Sequence, residues 1–183
     1  MAAMSSASDG ITPDTKDWTW VLERPCPDCG FDPRAQDLAD LPRLVHDTAM
    51  AWSDVLARAD VRERPAAGVW SPLEYACHVR DVHELFAQRL RLMLDEDQPT
   101  FANWDQDATA IEGDYPAQDP AEVAVALIEA AGTVAGIYAT VTDETRSRRG
   151  TRSNGDEFTV ESLGSYHLHD VVHHLHDVGA DRS

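Results

Sequence analysis

Lysine is nearly missing from this chain: of 15 cationic residues only Lys16 is a lysine, and 33 acids bring the formal net charge to −18. A chain this acidic repels phosphate backbones, which argues against nucleic-acid binding through a broad electrostatic footprint. No apolar run approaches the roughly 18 residues that cross a bilayer, so no membrane span is expected. Residues 1–16 carry no basic stretch leading into an apolar one, so no secretory signal is expected either, and the chain reads as cytoplasmic. Cysteine is scarce. Cys26, Cys29 and Cys77 cannot all pair, and in a reducing compartment a CxxC points to metal or redox work before a structural disulfide. Internal repeats and long low-complexity tracts are also lacking.

What remains is an ordinary globular composition, 43% apolar and 26% charged over 183 residues, enough for one sizeable core and unlike a disordered chain. Residues 1–16 are small, polar and unpatterned and read as a flexible tail. Residues 17–183 read as a single domain that includes an irregular, Trp- and Pro-rich CxxC extension at its start.

Four helical segments follow. The first is expected to open at Asp32-Pro33 and run to about Asp60, with Leu38, Leu41, Val45, Thr48, Trp52, Val55 and Leu56 at helical spacing and Pro42 as a bend. The second opens on Ser71-Pro72-Leu73-Glu74, a capping box with a first-turn proline, and continues to about Asp95. The third starts at Asp119-Pro120 and extends to about Thr142; the fourth begins after Thr159 and ends near Gly179. A polar loop with Phe101 and Trp104 separates the second and third, and a short hairpin turning at Asn154-Gly155 precedes the fourth. The fold class is therefore all-α, a four-helix bundle with long connections.

Five of the eight histidines crowd the fourth helix: His167, His169, His173, His174 and His176. At 100° per residue His169, His173 and His176 fall within about 60° of one another, whereas His167 and His174 lie on another side. His169 and His173 are i,i+4 neighbours able to converge on one ion, the spacing of HExxH helices without their glutamate base. A third ligand should come from another helix, and His78 on the second, in an inward stripe with Val82 and Leu85, is the best candidate. Three imidazoles leave places for water or substrate, the layout of a catalytic site. Asp170, Asp81 and Asp177 lie within a turn of these histidines and are available to orient them.

The combination of VWSPLEYACHVRD on the second helix with HDVVHH on the fourth resembles the DinB/YfiT-like family of metal-dependent enzymes, over roughly residues 34–179. The resemblance implies a four-helix bundle holding a divalent metal, zinc or nickel, on His78, His169 and His173. It also implies a low-molecular-weight thiol such as mycothiol as co-substrate of an S-transferase acting on a small molecule. The RPCPDCGFDP segment departs from the family pattern. On this reading the metal lowers the pKa of a thiol or water and presents it to an electrophile. Arg146, Arg148, Arg149 and Arg152 then offer a recognition patch for an anionic thiol, unless they pair with acids such as Asp143, Glu144 and Asp156. Tyr166 is available to donate to a bound oxygen or to pack the core.

Cys26 and Cys29 form one knuckle of zinc-ribbon type, which supplies only two ligands. They could hold a second metal with histidines outside the first site (His174 and His167 or His83), act as a redox pair, or be inert. Cys77 reads as a small core residue. Two further functions stay open: a metal-stabilised binding or stress-response module without turnover, and a histidine-faced bundle that forms a pH-responsive homodimer. No residue outside the ligands announces itself as base or nucleophile.

Overall fold

Ser71, Pro72 and Glu74 start the longest helix as the sequence expects. The Ser71 hydroxyl accepts from the Glu74 N–H, and the Glu74 carboxylate accepts from the Ser71 N–H at 2.8 Å. In the computed structural model, which describes residues 11–12 and 17–180, five helices and a small sheet follow one another: α1 (Leu41–Leu56), α2 (Pro72–Asp95), β1 (Thr100–Phe101), α3 (Gln106–Glu112), α4 (Pro120–Tyr138), β2 (Arg149–Arg152), β3 (Glu157–Thr159) and α5 (Val160–Asp177). The tail expected over residues 1–16 lies outside the described residues, apart from Ile11 and Thr12.

Helices α1, α2, α4 and α5 make the bundle. α2 packs on α4 and α5, and α1 packs on the same two, while α1 and α2 touch each other little. Sequence neighbours α1 and α2 thus stand diagonally, and the long connections are what this arrangement requires. One contiguous core runs between them, with Trp52, Leu73, Leu90, Leu127, Leu163, Leu168 and Leu175 fully buried. Interiors packed this way tolerate little change in volume.

Several boundaries differ from expectation. Asp32-Pro33 opens only a 3-10 turn (Pro33–Ala35), and a second (Leu38–Asp40), capped by the Asp37 side chain, precedes α1. Pro42 therefore occupies the first turn of α1, where a missing N–H costs nothing, and starts the helix instead of bending it. α1 and α4 each stop about four residues earlier than their apolar spacing suggests. The loop after α2 contains β1 and α3. β1 pairs parallel with β2, Thr100 opposite Thr151, and β2 pairs antiparallel with β3. The expected hairpin turns at Asn154-Gly155, where Gly155 takes φ +100°, a conformation that disfavours side chains. Among the described residues one helix, α4 at 19 residues, is long and apolar enough to cross a bilayer by length and composition. In the fold its Val123, Leu127, Ala131, Val134 and Tyr138 are buried in the bundle.

Candidate metal centre

One helix supplies most of the chemistry. α5 carries two interleaved i,i+4 pairs, His169/His173 and Asp170/His174, offset by one residue and so turned about 100° apart. Its apolar residues Leu168, Val171, Val172 and Leu175 fix its rotation against the core. That rotation decides which pair meets α2.

The pair that meets α2 is Asp170/His174. His78, nearly two turns into α2 and fully buried, lies with its Nε2 3.7 Å from Asp170 Oδ1. His174 Nε2 is 3.5 Å from the same oxygen, and the His78 and His174 rings stand perpendicular with centroids 4.8 Å apart. Ligand atoms bound tetrahedrally at zinc distances are separated by about 3.3 Å, close to these spans. Both ring nitrogens of His78 and Oδ1 of Asp170 are buried with no hydrogen-bond partner among the described residues. Orphaned buried polar atoms are costly, and a shared cation satisfies one His78 nitrogen and the Asp170 oxygen together. The residues fit a divalent metal. Burial lowers the pKa of His78, favouring the neutral imidazole that ligates. Burial pushes the Asp170 carboxyl up, but the imidazoles of His78, His174 and His169 pull it down further, so it stays ionised. Behind His174, the Asp177 carboxylate accepts from Nδ1–H at 2.9 Å, leaving the Nε2 lone pair to face Asp170.

The other pair faces the N-terminal extension. Cys26, Cys29, His169 and His173 each bring a ligating atom within 4.8 Å of all the others, and Cys26 Sγ is 3.6 Å from His173 Nδ1. The expected ligand set is thus divided. His78 is inward as anticipated, but it meets Asp170 and His174, while His169 and His173 meet the two cysteines. Asp170, expected only to orient ligands, stands with His78 and His174 as a candidate ligand. His174 is likewise not the partner of Cys26 and Cys29. Nor are His167 and His83, which face each other in the core, His83 Nδ1 3.0 Å from His167 Nε2, with the Tyr138 hydroxyl 3.2 Å from His167 Nδ1. Asp81 serves Arg80 and the Tyr115 hydroxyl. Cys77 is a buried core residue whose thiol burial pushes up to about 12.

A cleft opens beside His174 and Asp170, an inner cavity of about 120 Å³ lined by Trp18, Phe86, Arg89, Trp104, Arg152 and Tyr166 among others. It continues outward into a depression of about 520 Å³ that shares Trp18, Trp104 and Arg152 and adds Asn154 and several acids. Of the expected arginine patch, only Arg152 lines the cleft. Arg146 pairs with Glu161 and Asp143, Arg149 with Glu157, and Arg148 donates to the carbonyls of Met93 and Glu96. Arg152 itself pairs with Asp156. Arg89, which the sequence did not single out, joins it. Its pKa falls to about 10 through burial and the nearby Arg152, and its guanidinium donates to the Ala102 carbonyl. Tyr166 lines the cleft beside Arg152, its ring also packed on Phe158.

Histidines and a carboxylate turned from two facing helices toward one point are the arrangement in which helical bundles hold metal ions. The comparison with family models makes this specific: the chain belongs to the DinB superfamily, whose model matches residues 41–178. A solved structure of YfiT from Bacillus subtilis, described as a probable metal-dependent hydrolase with an unusual four-helix bundle topology, matches with a TM-score of 0.71. The match covers 82% of this chain and 91% of that one at 20% identity, a likeness of fold. No curated protein sequence matches the chain.

Proposed function

We propose that the chain is a metal-dependent enzyme in which His78, Asp170 and His174 hold a divalent ion, zinc or nickel, and that its reaction transfers a low-molecular-weight thiol to an electrophile. The observation that carries the metal reading is the group of buried, unpartnered donor atoms on His78 and Asp170, of which Asp170 lines a cleft together with His174. Three protein ligands leave positions open, as catalytic sites do. When bound, the ion favours the anionic form of a thiol beside it, making that sulfur a nucleophile at neutral pH.

The chain's own residues do the rest. Asp177 fixes the tautomer of His174. Trp18 and Trp104 wall the cleft and exclude water from the sulfur. Arg152 and Arg89 supply positive charge for an anionic co-substrate in an otherwise acidic protein. The outer depression gives room for a polar thiol far larger than a water molecule. In the transfer the sulfur forms a bond to the electrophilic carbon, the leaving group departs with its electron pair, and the thiol proton passes to solvent through the cleft. Such thiols are kept reduced in the cytoplasm, where this reading places the protein.

The test is conjugate formation from bacterial thiols and a small electrophile, measured against metal occupancy, with a parallel arm of esters and amides without thiol. Conjugation is expected to rise with occupancy and to vanish in Asp170→Asn/His174→Ala. Arg152→Gln is expected to raise KM for the thiol about tenfold, on the order of one charge-assisted hydrogen bond. Product only in the thiol-free arm overturns transfer in favour of hydrolysis. No turnover at full occupancy in either arm overturns catalysis and leaves a metal-stabilised module.

A further inference from the structure

We infer that Cys26, Cys29, His169 and His173 form a second, closed zinc site of structural type, which clamps the N-terminal extension onto α5. The donors come from one sharp turn and one helix face. Cys26 is buried, its N–H donates to the Phe31 carbonyl at 2.8 Å, and its carbonyl accepts from the Gly30 N–H at 3.0 Å. Gly30 takes φ +71°, which lets the chain fold back so that both sulfurs face α5. The Phe31 N–H also faces the Cys29 sulfur, as backbone donors do in zinc knuckles.

Opposite stands His169, only 4% exposed, with its Nε2 buried and unpartnered among the described residues. His173 Nδ1 lies 3.6 Å from Cys26 Sγ. A thiolate and an imidazole bound to one tetrahedral zinc at about 2.3 and 2.0 Å are separated by about 3.5 Å, so that pair is already spaced for the ion. All three cysteines are free thiols in the structure. Two sulfurs and two imidazoles complete a tetrahedron and leave no place for water or substrate, which separates this site from the His78 centre.

The clamp has a purpose that the geometry makes plain. The extension also carries Trp18, whose ring lies 5.6 Å from that of His169 and 5.0 Å from that of His173 and forms a wall of the cleft. Fixing Cys26 and Cys29 to α5 therefore fixes the wall beside Asp170 and His174. Cys26 and Cys29 lie outside the residues matched by the family model, so the clamp is an addition to the bundle.

The test uses the full chain, stripped by chelator and titrated with Co²⁺ alone. Two equivalents are expected to bind, with a sulfur-to-cobalt charge-transfer band in the near ultraviolet that saturates at one. That band should survive in Asp170→Asn/His174→Ala and disappear, with one equivalent, in Cys26→Ser/Cys29→Ser. Thiol reagents should modify Cys26 and Cys29 in the stripped protein and spare both once it is loaded, with the buried Cys77 unreactive in either state. Cobalt binding to the wild-type protein without a sulfur band overturns the site, whatever the variants do. A Cys26–Cys29 disulfide that forms in air and is unaffected by prior metal loading overturns it as well. Neither result bears on the His78 centre, which contains no sulfur.

Discussion

Asp177 is where the two centres meet, and replacing it should weaken both unequally. Its Oδ2 accepts from His174 Nδ1 at 2.9 Å, while its Oδ1 lies 3.7 Å from His173 Nε2, the nitrogen turned away from Cys26. Carboxylates behind ligating histidines typically contribute 10- to 100-fold to metal affinity. The 2.9 Å contact is a full hydrogen bond that sets tautomer and ring orientation, so Asp177→Ala, which leaves no acceptor, should cost the His78 centre close to 100-fold, about 2.7 kcal/mol. The 3.7 Å contact exceeds hydrogen-bond range and acts through charge, so the cysteine centre should lose about tenfold or less, at most about 1.4 kcal/mol. Asp177 is 26% exposed, and solvent screening makes both figures ceilings. Competition of the cobalt-loaded protein against graded chelators reads both centres at once: the sulfur band follows one, and the remaining visible absorption follows the other. Unchanged affinity at the His78 centre, or a larger loss at the cysteine centre, refutes this assignment of Asp177.

Two other outcomes rest on buried charge. The Glu74 carboxylate is 4% exposed and accepts from Arg64 Nε at 3.0 Å, so Arg64→Met leaves it without its cation. Breaking such a pair costs about 3 kcal/mol, which for a chain of this size lowers Tm by about 6–12 °C in circular-dichroism melts; an unchanged Tm contradicts the reading. In the metal-free protein, acid should erode stability. Burial holds His167 down to about 4 and His83 well below its ordinary value, so the unfolded chain takes up protons first. Stability is then complete above about pH 6.5 and declines toward pH 4, by about 3 kcal/mol from His167 alone. Urea unfolding at several pH values with chelator present checks the sign, and a flat profile between pH 7 and 4.5 rejects it.

The bundle was legible because its signals are local. Ser71-Pro72-Leu73-Glu74, Asp119-Pro120 and Asn154-Gly155 each specify a cap or turn within four residues, and each forms as read. The start of α1 was not, because Pro33 and Pro42 both suit a first turn and only packing chooses between them. His78 was legible as an inward residue. The identity of its partners was not, since His169/His173 and Asp170/His174 share the same spacing and differ by one step around the helix. The signal was nonetheless present in Asp170 and His174 themselves, an acid and an imidazole four residues apart. Likewise the CxxC offered two candidate ligands, but only the folding of the extension across α5 brings His169 and His173 beside them.

Helices at the end of a domain ordinarily open from their free turn, and backbone amides there exchange with solvent long before the rest. The last turns of α5 have little freedom to do so. Arg58 donates to the Val178 carbonyl at 2.6 Å, the Ala180 N–H reaches back to Leu175, and Gly179 supplies the left-handed residue that closes the end. Within those turns His173 faces Cys26, and His174 faces Asp170 and His78, so that unwinding one turn disengages both groups. Deuterium uptake over residues 173–177 should therefore track global unfolding and not the slack of a terminus.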